Sequence, residues 1–131
     1  MSAWTRPEPA PKPSVAADGA VVSKAALRAA QRLGVSNRAL SRIIGLSEAS
    51  ISRMGSGRYT LSPADKPFEL AVLFIRLFRA LDAVVAGDEA AARRWLESDN
   101  LALGGAPVVL MQSLAGLIDV VAYLDSRRAV V

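Results

Sequence analysis

The sequence predicts an all-α protein, and three observations carry that reading. Hydrophobic residues make up 52% of the chain, ample for a core, but aromatics only 5%, so the core must be aliphatic and Ala-rich. Such a core suits helices better than sheets. Apolar residues recur at helical spacing, and no segment alternates polar and apolar as a half-buried strand does. Ser, Asp, Gly and Pro also fall where helix starts and stops need them. At 131 residues the chain holds one domain, or two small ones sharing a core, without internal repeats.

Residues 1–20 carry four of the seven prolines plus Gly19, and no hydrophobic period. Proline lacks an N–H and fixes φ, so this stretch is expected to be a disordered or extended arm. Regular structure is expected from Val21–Ser23. Ser23 can cap a helix to Leu33, with Ala26, Leu27, Ala30 and Leu33 as its apolar face and Gly34 as its stop. Ser36 can cap a second helix, through Ile44, ended by Gly45. Ser47 can cap a third, Glu48–Met54, ended by Gly55, and Glu48 suits the positive end of the helix dipole.

Beyond the GSGRYTLS loop, Ser62, Pro63 and Asp65 signal another N-terminus, although Pro67 moves the start towards Lys66. The run Phe68–Ala86 is apolar almost all round, with Glu69, Arg76, Arg79 and Asp82 in one narrow stripe. Such a helix belongs at the centre of the core or between subunits. Gly87 breaks it, and Asp88 caps a shorter helix to about Leu96. Gly104, Gly105 and Pro107 form a loop before a last helical region, Val108–Arg127, kinked near Ser113–Gly116.

Several functions are disfavoured outright. The chain has no cysteine and no histidine, which removes disulfides, thiol chemistry, Cys/His zinc sites and His-based acid–base catalysis. Its 12 carboxylates form no pair with a base, metal set or phosphate loop beside it, and Gly104-Gly105 lacks the spacing of a nucleotide fingerprint. An enzyme is not expected, and no cofactor or metal. The opening MSAWTRPEPAPKPS lacks the apolar core of a signal peptide. The run from Phe68 carries four charges, and one charge at mid-bilayer costs about 2.5–3.5 kcal/mol. No membrane association is expected, and the expected location is cytoplasmic.

A net charge of +4 fits contact with phosphate, though it is also ordinary for a soluble protein. The stretch Asn37–Arg58, NRALSRIIGLSEASISRMGSGR, sharpens it. It has the spacing of a helix-turn-helix, with Gly45 at the turn and Leu40, Ile44, Leu46 and Ile51 packing the joint. Ser41 stands at the close-contact position. The second helix would present Ser47, Ser50, Ser52 and Arg53 to DNA, with Arg58 just beyond it. Arg53 and Arg58 are candidates for guanine or phosphate, and Arg38 and Arg42 for backbone positioning. The competing reading is that short helices broken by glycine simply pack in a small helical domain.

The C-terminal half decides which kind of helix-turn-helix protein this is. Trp95-Leu96, then Asn100-Leu101-Ala102-Leu103-Gly104-Gly105-x-Pro107, then Gly116-xxx-Val120-xx-Tyr123-Leu124, resembles the toxin-binding domain of Xre/MbcA/ParS antitoxins. The resemblance covers about Lys24–Arg128, with the helix-turn-helix as its Xre-like half. It divides the chain into the arm (1–20), an Xre-like DNA-binding region (21–61) and a helical dimerisation and toxin-binding region (62–131).

The resemblance implies a type II antitoxin that neutralises a RES-domain toxin encoded by the adjacent gene. Such toxins consume NAD+ or transfer its ADP-ribose to a protein. It further implies a homodimer within a larger toxin–antitoxin complex, autorepression at operator DNA, and C-terminal residues reaching over the toxin's NAD+ pocket. Here the candidate contacts are Tyr123, Leu124, Asp125, Arg127, Arg128 and Val131, with the two arginines suited to an anionic subsite. The chain departs from the family in ending soon after Arg128, so shallow insertion is expected, and in placing Asp119 in an apolar stripe.

From residues alone, Leu110, Leu114, Leu117, Ile118, Val121 and Leu124 supply apolar faces, Trp95 fills core, and Gly116 permits close helix approach. Residues 127 and 128 could equally be a solvated helix end. The alternative function is a plain helix-turn-helix regulator whose C-terminal half only dimerises.

Overall fold

The computed structural model describes the backbone of residues 15–128 and the side-chain environments of residues 18–128. Among them lie helices α1 (Val15–Leu33), α2 (Asn37–Ile44), α3 (Glu48–Gly55), α4 (Lys66–Val84), α5 (Glu89–Glu97), α6 (Pro107–Leu110) and α7 (Leu114–Arg128). The chain is all-α, as its composition and periodicity predict. None of the described helices is long and apolar enough to cross a membrane.

The expected caps close the short helices. Ser36 accepts the Ala39 N–H at 3.1 Å, and Ser47 accepts the Ser50 N–H at 3.0 Å. Asp88 accepts the Ala91 N–H at 3.0 Å. Gly45 ends α2 in the left-handed region at φ 75°, where its N–H and that of Leu46 both reach the Ser41 carbonyl. Pro67 near the start of α4 shifts that helix to Lys66, and Ser62–Asp65 forms a turn ahead of it.

Helix α1 departs from expectation. It begins at Val15, so residues 15–20, read above as part of the arm, form its first turns; residues 1–14 lie outside the described residues. Ser23 is therefore not an N-cap. It is buried within the helix, donating to the Gly19 carbonyl at 2.7 Å and accepting the Leu61 N–H at 2.9 Å. A methyl group on Gly19 would overlap the Leu61 carbonyl oxygen. Gly19 and Ser23, one turn apart, thus make a seat for the segment that leads into α4. Gly suggested a break and Ser a cap, but both also permit close approach inside a helix.

Helix α4 occupies the centre. Ala71, Phe74, Leu77, Ala80 and Leu81 are fully buried, packed on α1, α2, α5 and α7. Each large apolar side chain buried there contributes about 1.5–3 kcal/mol. Glu69, Arg76 and Arg79 lie on its exposed side and Asp82 is half-buried. The helix stops at Val84 rather than Ala86, since Ala86 and Gly87 both take positive φ.

The last helical region is broken rather than kinked. Helix α6 ends at Leu110, Met111 is buried, and Ser113 starts α7 by accepting the Gly116 N–H at 3.1 Å. A methyl group at Gly116 would overlap the Leu110 carbonyl oxygen, so the α6–α7 corner depends on glycine there. Leu117, Val120, Val121 and Leu124 then bury one face of α7.

The Ser23 hydroxyl yields a direct stability prediction. Ser23→Ala strands the buried Leu61 N–H, and is expected to lower unfolding free energy by about 1–3 kcal/mol in urea titration. A loss below the error of that titration would show that the seat contributes nothing.

Candidate nucleic-acid and protein interfaces

The α2–α3 unit is built as the sequence predicts. Leu40, Ile44 and Ile51 are buried at the joint, with Leu46 partly buried against them. Ser41 is buried and donates to the Arg38 carbonyl at 2.8 Å, so its hydroxyl is accommodated without an unpaired group. Glu48, Ala49, Ser52 and Arg53 are exposed on α3, and Ser50 is half-buried. Ser47 donates its hydroxyl to the Ser50 hydroxyl at 3.0 Å while capping, so its polar groups are engaged locally. Arg53 reaches the Ser50 hydroxyl weakly at 3.4 Å. The Arg58 N–H closes the helix end on the Arg53 carbonyl at 2.8 Å. Arg38, Arg42, Arg53 and Arg58 are all exposed, against the single carboxylate of Glu48 in this unit. The surface is therefore basic, with small residues at the front of α3.

A second set of contacts gathers at the end of α7. The Tyr123 ring stacks on Trp95 of α5, centroids 6.2 Å apart and planes inclined by 19°. The Arg127 guanidinium lies 5.0 Å from the Tyr123 centroid and donates to its hydroxyl at 2.9 Å. Asp125 accepts from Arg76 of α4 at 2.7 Å and lies 4.0 Å from Arg128. Tyr123 is half-buried, and Arg127 and Arg128 are exposed.

The preceding loop is closed by hydrogen bonds to Asn100. The Asn100 N–H donates to the Gly105 carbonyl at 3.0 Å, its carbonyl accepts from Gly104 at 2.8 Å, and its side-chain oxygen accepts from Leu103 at 3.2 Å. Gly104 holds φ 84°, and Leu101 stands fully exposed at the tip. Leu114 and Ile118, expected among the apolar packing faces, are half-exposed on the outer side of α7, beside exposed Asp119.

Residues 14–76 match the family model of the antitoxin Xre-like helix-turn-helix domain, and residues 80–129 that of the antitoxin Xre/MbcA/ParS C-terminal toxin-binding domain. The chain belongs to the Xre/MbcA/ParS antitoxins. No curated protein matches it. The antitoxin therefore carries a DNA-binding unit and a toxin-binding unit in tandem, and one matched stretch ends and the other begins within α4.

The structure sorts the residues expected at each surface. Arg38, Arg42, Ser52, Arg53 and Arg58 are exposed on one unit, Arg127 and Arg128 on the other. Leu124 is a correction: it is buried in the core, so it holds α7 in place and offers no surface to a partner. Val131 lies outside the described residues. Arg76 and Arg93 were missed from the sequence. Arg76 pairs with Asp125, and Arg93 donates to the Arg32 and Gln31 carbonyls at 3.0 and 3.1 Å, capping the end of α1. No periodicity signals partners so far apart in the chain.

The Arg76–Asp125 pair is partly exposed, so its coupling is expected at about 0.2–1 kcal/mol. A double-mutant cycle with Arg76→Ala and Asp125→Ala measures it. High salt should shrink the coupling, whereas a salt-independent value would mean packing rather than charge.

Proposed function

We propose that the antitoxin neutralises a RES-domain toxin encoded by the adjacent gene, one that degrades NAD+ or uses it to ADP-ribosylate a protein. In this reading the end of α7 covers the toxin's NAD+ pocket, and the antitoxin also represses its own operon as a homodimer within a larger toxin–antitoxin complex. The observation that carries it is exposed Arg127 held on half-buried Tyr123 of a toxin-binding domain. Arg127, held over a tyrosine that is itself stacked on Trp95, is a pre-oriented guanidinium. Such a group suits a site built for a dinucleotide's anionic part. Arg128 adds a second cation, and Asp125 acts by positioning it beside Arg76. Occlusion needs no chemistry from this chain, only a few well-placed anchors.

On the DNA side, Arg53 and Arg58 reach phosphate or guanine, Ser50 and Ser52 sit at the groove edge, and Arg38 and Arg42 grip the backbone. Ser47 contributes through the cap that fixes the start of α3.

Growth and cellular NAD+ are measured while the neighbouring gene is induced, with and without the antitoxin. Arrest with NAD+ loss, both reversed by the antitoxin, is the expected result. Arrest reversed without NAD+ loss assigns the toxin to target modification instead. A folded neighbour without toxicity favours the plain regulator. Truncation after Tyr123 would remove buried Leu124 and so loosen the fold, and Arg127→Glu is the cleaner variant. It is expected to abolish rescue while leaving operator affinity within about twofold, since exposed substitutions cost little stability.

Operator binding gives the complementary prediction. Arg53→Ala/Arg58→Ala is expected to reduce the salt slope of binding by about one for each phosphate that these arginines neutralise. Unchanged affinity and slope would move the DNA surface elsewhere.

A further inference from the structure

A groove of about 550 Å³ runs between α1 and α4, floored by Val21, Val22, Ala25, Val72 and Ile75 and bounded at one end by Arg76, Arg79 and Arg128. Val21 is 67% exposed and Val72 43%, although both sit in the middle of long helices. Helices α1 and α4 run in the same sense: Gly19 lies against Leu61, ahead of α4, and the Arg32 guanidinium stands 6.0 Å from the Phe78 centroid.

Both helices are polarised in the same direction along this face. On α1, Asp18 precedes Val22 and Ala25 by one and two turns on the same side, and exposed Arg28 follows Ala25 by one turn. On α4, exposed Glu69 precedes Val72, which is followed by Arg76 and Arg79. The face is therefore acidic at one end, apolar in the middle and basic at the other. Glu69 shares its charge with exposed Lys66 at 3.5 Å, and Arg76 is matched by Asp125. Asp18 is left at one end and Arg28 and Arg79 at the other, with exposed Lys24 beside the apolar middle, and none of them has an ion pair with other described residues.

We infer that this face is where a second copy of the chain docks. A two-fold axis through the apolar middle turns the acidic end of one copy onto the basic end of the other, so a single surface complements itself. Apolar faces of this kind are seldom left open on a monomer. The groove's apolar floor lies wholly in the stretch matching the helix-turn-helix domain, and only Arg128 comes from the toxin-binding stretch. None of the α2–α3 residues assigned to DNA lines it. This assignment rests on the homodimer reading above and adds its location.

Sedimentation equilibrium of the full chain, in low and high salt, tests it. The wild type is expected to be dimeric, more weakly so in high salt. Val21→Asp/Val72→Asp should weaken the dimer by about tenfold or more, as expected for central apolar anchors, with helix content unchanged. Arg79→Glu should weaken it too, and Asp18→Arg/Arg79→Glu should restore it by re-pairing the exchanged charges.

A dimer that survives the valine substitutions overturns the location but leaves the homodimer standing. A monomeric wild type overturns both, without touching neutralisation, which is read separately by toxin rescue. Should the valine variant stay dimeric and lose rescue, the groove belongs to the toxin. Should a monomeric wild type lose thermal stability on the same substitution, the groove is filled by the chain's own terminal residues. Each of these last two outcomes also overturns the inference.

Discussion

The burial of α4 is the constraint on which the rest of the antitoxin depends. Phe74, Leu77 and Leu81 are sealed from solvent by helices on either side of them in sequence, α1 and α2 before, α5 and α7 after. Replacing Phe74 with a small residue would leave a cavity costing about 3–5 kcal/mol, a large part of a small domain's stability. Neither matched unit can bury its apolar face without this helix. The DNA-binding and toxin-binding units are thus two faces of one core, with α3 and α7 held in fixed relation by a shared central rod.

Two close approaches in the fold occur where side chains are small. Gly19 and Ser23 admit the Leu61 segment, and Gly116 admits the Leu110 carbonyl. The two solutions differ in chemistry. At Ser23 a hydroxyl answers both a carbonyl and an N–H in a buried place, where an unpaired group would cost more than the bond itself contributes. At Gly116 there is simply no room for a side chain. The first orients α1 on α4, and the second sets the angle at which α7 leaves α6.

Legibility in the sequence followed the range of the interactions. Ser36, Ser47, Asp88 and Gly45 act on residues three or four away, and their roles could be read directly. The polar stripe of α4 was legible for the same reason. Ser23 misled because its decisive partner, Leu61, is 38 residues distant. Arg76 and Asp125, 49 apart, gave no signal at all. Hydrophobicity alone could not separate buried Leu117 and Leu124 from half-exposed Leu114 and Ile118, because α7 is apolar on nearly every side. The Asn100–Gly105 motif was visible as a pattern, but its physics, one asparagine closing a loop through its backbone and side chain, emerged only in the fold.

The buried position of Leu124 changes how a toxin could be gripped. A tail that orders on binding loses conformational entropy at that moment, about 1–2 kcal/mol for each backbone residue fixed. Residues 123–128 are already helical, with Leu124 anchored in the core, Asp125 tied to Arg76 and Arg127 laid over Tyr123. Most of that cost is met when the antitoxin folds, so a guanidinium presented from this end can bind with little further ordering. Rigidity has a consequence of its own. A helix end fixed to α4 cannot adjust independently of the core, so, if a toxin docks there as proposed, its approach to α7 is set by the same packing that positions α3.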